Sequence, residues 1–247
     1  MHAVLVRVGI DQAYGKWNGP VDPETHEFVY VPIPEERATL PQLATPYTRV
    51  ASSLGAFAKG RVVDAKACAL PRALLGRQMH LDPDFQRLSY GNNPNSRGDI
   101  INGLAPDDVV VFYAGLRPCR AGGAERVGKL IYAIIGLYRV SEVVQLAAVE
   151  PGRWHENAHT RRVTPTLEDV IVRAAPSTSG RLRRCLPIGD FRDRAYRVFP
   201  ELLSSWGHIS CRDGWVQRSA IPPTFLEPKR FLAWFEVQGP EFIQENN

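Results

Sequence analysis

The chain has 247 residues, a formal charge of +4, and a composition that is 44% hydrophobic and 23% charged. That balance excludes a disordered polypeptide, and the length suits one domain whose core needs neither disulfide nor metal to hold it. No apolar run approaches the ~18 residues of a membrane span, and the positive excess is local: residues 153–197 hold 10 basic against 5 acidic side chains, while the remainder nearly balances.

The elements follow in chain order. The N-terminal MHAVLVRVGIDQ turns polar too soon for a signal peptide, and His2–Val8 is apolar and β-branched, which predicts the first strand. Residues 9–27 form a loop dense in Gly, Pro, Asn and Asp. A short strand is expected at Phe28–Pro32. Thr45-Pro46 offers an N-cap and a first helical residue, so Tyr47–Lys59 reads as a helix ending at Gly60. Gln78–Leu81 reads as extended, followed by a turn cluster through Asn95 and a short helix at Asp99–Leu104. Val109–Gly115 and Leu130–Tyr138 are the two strongest strands, joined by a basic, Gly-rich loop. Glu150–Arg162 suits a helical turn, Val170–Val172 a strand core, Pro176–Gly180 a loop and Arg181–Arg197 a basic extended stretch. Pro200–Trp206 and Pro228–Val237 read as helices, and Gln244–Asn247 as a loose tail. No linker or repeat interrupts residues 1–247, so a single α+β domain is expected. The four cysteines, at 68, 119, 185 and 211, form no C-x-x-C pair. They read as reduced thiols of a cytoplasmic protein, with a Cys185–Cys211 pairing left open.

Two strong-looking motifs lack their context. His155-Glu156-Asn157-Ala158-His159 matches H-E-x-x-H, which in zinc peptidases needs a stable helix to set two histidines one turn apart. The flanking Glu150–Trp154 and Thr160–Arg162 do not build such a helix, and a short surface helix is the plainer reading. Gly123–Lys129 approaches a Walker A loop, but Leu130 stands where Ser or Thr should hold magnesium, and a strand follows instead of a helix. Neither a Rossmann glycine turn nor a G-x-S-x-G elbow is present.

Four groupings could carry chemistry. In His80-Leu81-Asp82-Pro83-Asp84 a strand geometry puts His80 and Asp82 on one side, where a carboxylate can fix the imidazole tautomer for acid–base work. A turn held by Asp82 and Asp84 explains the same residues. Asp11, Tyr14 and Trp17 follow the first strand and could stack on and hydrogen-bond a base, or close over the core. Arg97, Tyr113 and Arg117 could contact phosphate and base, although Tyr113 equally suits core packing. Arg153, Arg161, Arg162, Arg173, Arg181, Arg183, Arg184, Arg192, Arg194 and Arg197 could track phosphates or form ordinary surface ion pairs.

Several of these stretches resemble the nucleotide-modification-associated domain family of the third type. They are Arg7–Asp11 with Tyr14–Asn18, FVYVPIPE at residues 28–35, HLDPDF at 80–85, Ser89–Gly91, and LAPDDVVVFYAGL at 104–116. The resemblance implies a role tied to modified DNA bases and carries no catalytic list. A second likeness, over Asp107–Tyr113 and Ile131–Glu142, is to PUA-type small barrels. It implies a mostly antiparallel, partly barrelled sheet with short flanking helices.

Together these readings predict a protein that handles nucleic acid or nucleotides in base modification. His80, Asp82, Asp84 and Asp11 are its catalytic candidates, Tyr14, Trp17 and Tyr113 its base contacts, and Arg97, Arg117, Arg161 and Arg162 its phosphate contacts. No metal is assigned, and the cofactor, the reaction and the oligomeric state stay open. The rivals are a non-catalytic PUA-like reader of modified bases and a metal-dependent hydrolase using His80, Asp82, His155 and His159.

Overall fold

The computed structural model describes residues 1–11, 17–61, 63, 68–94, 100–119, 129–217 and 221–247. Its centre is three long apolar runs. Ala3–Arg7 (β1) pairs in parallel with Val109–Pro118 (β6), which pairs antiparallel with Ile131–Gln145 (β7). Alternate side chains serve opposite faces, as the two-residue strand period requires. Val4, Val6, Val110, Phe112 and Ala114 enter one core, while Ala3, Leu5, Val109, Val111 and Tyr113 enter another. Burial on both faces is why β1, β6 and the first half of β7 read as nearly continuous apolar runs.

The other strands are Pro20–Val21 (β2), Ile33–Pro34 (β3), Met79–His80 (β4), Ser89–Asn92 (β5), Val170–Ala174 (β8), Gly180–Arg192 (β9), Ala195–Val198 (β10) and Phe242–Ile243 (β11). The sheet forks along β7: residues 140–145 pair with β8, and residues 132–137 with β9. β5 extends the first branch, and β10 and β11 pair with β9. The result is an α+β fold with a mostly antiparallel, mixed sheet, and the pairings among the described residues do not close into a barrel.

Among the described residues three α-helices flank it: Thr48–Ala58 (α1), Pro200–Trp206 (α2) and Pro228–Val237 (α3). Proline opens α2 and α3, where its missing N–H costs nothing. Leu203, Trp206, Phe231 and Phe235 from these two cover one face of the sheet. The opposite face is covered by Phe85, which ends the HLDPDF segment, and by Leu88 and Tyr90 just after it. Gly136, which interrupts the apolar run of β7, lies under Phe85: a Cβ there would collide with the ring. α1 closes a third core with Trp17, Val29, Val31, Met79 and Leu81. No helix among the described residues is long and apolar enough to cross a membrane.

Four local expectations change. Phe28 makes only a bridge to Val21, and the strand in this region is β3. Residues 100–103 form a turn where a helix was expected. Residues 155–161 also form turns, so the H-E-x-x-H match carries no helix. The tail is held: Asn246 hydrogen-bonds Phe85 N–H and the Asp84 carboxylate, and Asn247 exchanges two hydrogen bonds with the Tyr30 backbone.

Candidate functional site

β4 pairs with β3 so that Ile33 faces His80. Met79 and Leu81 enter the α1 core, which sends His80 to the other side of the strand. Two residues beyond Ile33 lies Glu35, whose Oε2 is 2.6 Å from His80 Nδ1. After Leu81 the chain turns through a cis Asp82–Pro83 bond. Buried tyrosines hold that turn by its backbone: Tyr30 Oη donates to Pro83 O and Tyr138 Oη to Asp84 O. Phe85 packs edge-on against Tyr30, Phe112 and Tyr138.

The segment 155–162 folds over this turn. Asn157 is its hub: Nδ2 donates to Asp82 Oδ1 (3.1 Å) and Ser89 Oγ (3.2 Å), while Oδ1 accepts His159 N–H (2.9 Å). His159 Nδ1 lies 2.5 Å from Oδ2 of Asp169, a fully buried residue that immediately precedes β8. Asn93 donates to the other Asp169 oxygen. Next along, Arg162 bridges to Thr39, and its guanidinium lies 3.5 Å from Glu35 and 3.6 Å from Asp169.

The outcome is a convergent triad. The rings of His80 and His159 are 5.1 Å apart. Each Nε2 lies 3.8 Å from Asp82 Oδ2, and the three side chains can each offer one ligand atom within 4.8 Å of the others. Asp82 Oδ1 is already engaged by Gly91 N–H (2.6 Å) and by Asn157, so Oδ2 is the oxygen left to face the histidines. Gly91 is required here. A Cβ on it would sit 2.5 Å from the His159 ring and 2.7 Å from Asn157 Oδ1.

Burial pushes the Glu35 carboxyl up. The His80 hydrogen bond and charge, Arg37 N–H and Arg162 outweigh it and hold the group at about 2. Burial also pushes the His159 imidazole below its ordinary value, by more than Asp169 and Asp82 raise it. Carboxylates at both Nδ1 atoms accept hydrogen bonds, so in the neutral rings the protons sit on Nδ1 and the Nε2 lone pairs face Asp82.

The predicted residues separate cleanly. His80 and Asp82 share the site with His159. Asp84 is adjacent but saturated. Its carboxylate takes Arg161 (2.5 Å), the Gln86 and Arg87 N–H groups and Asn246. Arg161 also donates to His155 O, so a phosphate reaching Arg161 or Arg162 would compete with carboxylates already in place. Asp11 lies four residues beyond the end of β1, ion-paired with Arg7 at 3.2 Å, outside the triad. Trp17 is buried in the α1 core, and Tyr113 is buried in the core under α2 and α3 with its hydroxyl on Val216 O. Arg117 lies near the end of β6, half-buried. Tyr14 and Arg97 lie outside the described residues. His155 is exposed and not part of the triad. An open cavity of about 820 Å³ lined by residues including Asn102, Glu142, Gln145 and Glu168 contains none of the triad.

Sequence reasoning missed Glu35, Asp169, Asn157 and Gly91 as functional positions. Glu35 closes the FVYVPIPE stretch and Gly91 the Ser89-Tyr90-Gly91 stretch, so two of the four lay inside the segments that carry the family resemblance.

Comparisons with curated proteins and with solved structures give no significant match. A family model does match, the nucleotide modification associated domain 3, over residues 2–217. That span contains the triad, its carboxylate partners and both branches of the sheet, and the chain belongs to this family.

Proposed function

We propose that the protein is an enzyme acting on the base of a nucleotide or nucleic acid, with its reaction centre at His80, Asp82 and His159. The observation that carries this reading is the convergence of two buried histidines and a partly buried aspartate whose other polar atoms are already committed. Both Nδ1 atoms are tied to carboxylates, and Asp82 Oδ1 to Gly91 and Asn157. Such positioning by supporting hydrogen bonds is what catalysis needs and packing alone does not. The family's association with nucleotide modification supplies the substrate context. If the substrate is duplex DNA, the target base has to leave the stack to reach a site this buried.

The test uses cells that carry the gene. His80→Gln and Asp82→Asn are introduced separately, and nucleosides from DNA, RNA and the free pool are profiled by mass spectrometry. A modified nucleoside present with the wild type disappears in both variants. An unchanged profile sinks the assignment and returns the protein to the class of non-catalytic readers.

A further inference from the structure

We infer that His80 Nε2, His159 Nε2 and Asp82 Oδ2 are ligands for one divalent first-row transition-metal ion. The inference rests on the reading of this cluster as the reaction centre and adds the group that works there.

Four observations support it. First, the three converging atoms are all acceptors when the rings are neutral, and at 3.8 Å each Nε2 is too far from Asp82 Oδ2 to share a hydrogen bond with it. Buried acceptors facing one another need a positive centre between them. Second, each imidazole donates its other N–H to a carboxylate, Glu35 or Asp169. That arrangement fixes the tautomer and strengthens a histidine as a metal ligand. Third, with both imidazoles neutral the charges sum to a deficit that a divalent ion fills. Glu35, Asp82 and Asp169 carry three negative charges, and among them Arg162 contributes one positive. Arg161 is spent on Asp84. Fourth, bonds of about 2.1 Å from three ligands to one ion require ligand separations of roughly 3.0–3.5 Å; the two His–Asp separations are 3.8 Å and all three lie within 4.8 Å, so the side chains have only to draw together.

Two imidazoles and one carboxylate select iron, manganese, cobalt or zinc over magnesium or calcium, which prefer oxygen alone. Three protein ligands leave coordination positions open for water or substrate, as a reactive centre requires.

The experiment uses the purified full chain. It is stripped with chelator and dialysed singly against Fe²⁺ under anaerobic conditions, Mn²⁺, Co²⁺ and Zn²⁺. Bound metal is then counted by atomic emission, and the Co²⁺ form is read by its visible absorption. The wild type retains one ion per chain, and the retained ion raises its thermal midpoint. Asp82→Asn and His159→Asn bind at least tenfold more weakly, Glu35→Gln loses about 10–100-fold with all three ligands intact, and His155→Ala binds like the wild type. Circular dichroism confirms that each variant is folded. The inference is overturned if the wild type retains none of the four ions, which would leave the site to water. Equal binding by folded Asp82→Asn and His159→Asn overturns it too. Should either variant fail to fold, the wild-type stoichiometry and its thermal shift still decide. Metal bound without any change in the nucleoside profile of the variants refutes the proposed function alone. A changed profile in a protein that binds no metal refutes this inference alone.

Discussion

Along β9 and β10 three arginines pair with exposed acids: Arg183 with Glu241, Arg192 with Asp190 and Arg197 with Asp213. Around the triad, Arg161, Arg162 and Arg173 instead reach carboxylates that are almost fully buried, namely Asp84, Glu35, Asp169 and Glu156. The two regions supply most of the local charge excess of residues 153–197, yet a charge count cannot tell them apart. What differs is solvent. An exposed pair exchanges one set of water contacts for another and contributes little. A buried pair has lost its water, so removing one member strands the other. The same contrast divides two neighbours in one turn: Asp84 has every acceptor engaged, and Asp82 keeps one oxygen for the histidines.

This contrast can be broken by measurement. Arg161→Ala leaves Asp84 uncompensated and is expected to cost about 3–5 kcal/mol in chemical denaturation; a loss below ~1 kcal/mol would erase the distinction between the two regions. Gly91→Ala forces a Cβ against His159 and Asn157 and is expected to cost about 1–3 kcal/mol, with the triad disturbed more than the fold. Its signature is lost nucleoside modification at a temperature where the variant remains folded. The smallest effect belongs to the exposed strand. Arg183→Ala with Arg184→Ala should change stability by under ~1 kcal/mol. If the strand tracks phosphates, the double variant weakens binding to nucleic acid at low salt and flattens the salt dependence. Arg181 is unsuitable for this test, because it is buried beside Phe28 and hydrogen-bonded to Glu245 O and Leu182 O.

Much of the fold was legible for local reasons. Apolar runs announced β1, β6 and the first half of β7, and Pro200 and Pro228 marked the helices they open. The pairing of β1 with β6 in parallel was not legible, since nothing in either run encodes its neighbour. His80 and Asp82 were legible because two residue types with matched chemistry lie two positions apart, one at the end of β4 and one in the turn that follows. His159 drew attention for a reason the structure overturns: the motif suggests a helix and a partner at His155, and the true partners are Asp169 and Asp82. Asn157, in the middle of that motif, serves as the hub through its side-chain amide, a role a motif pattern does not register. The tail was misread because its composition is polar, while its stability comes from two asparagine amides bonding a distant backbone and Asp84.

The triad is assembled from pieces far apart along the chain: Glu35 and His80 are 45 positions apart, and Asn157 and Asp82 are 75. No single hairpin or helix contains it, so the site can exist only after these long loops have closed, and such closures are the slow events of folding. The site therefore depends on the docking of the 155–162 segment onto the turn at Asp82. Lifting the 155–162 turn would dissolve it while the central strands stay paired. Hydrogen exchange at Gly91, whose amide is held by Asp82, would follow that opening separately from the exchange of β6 and β7.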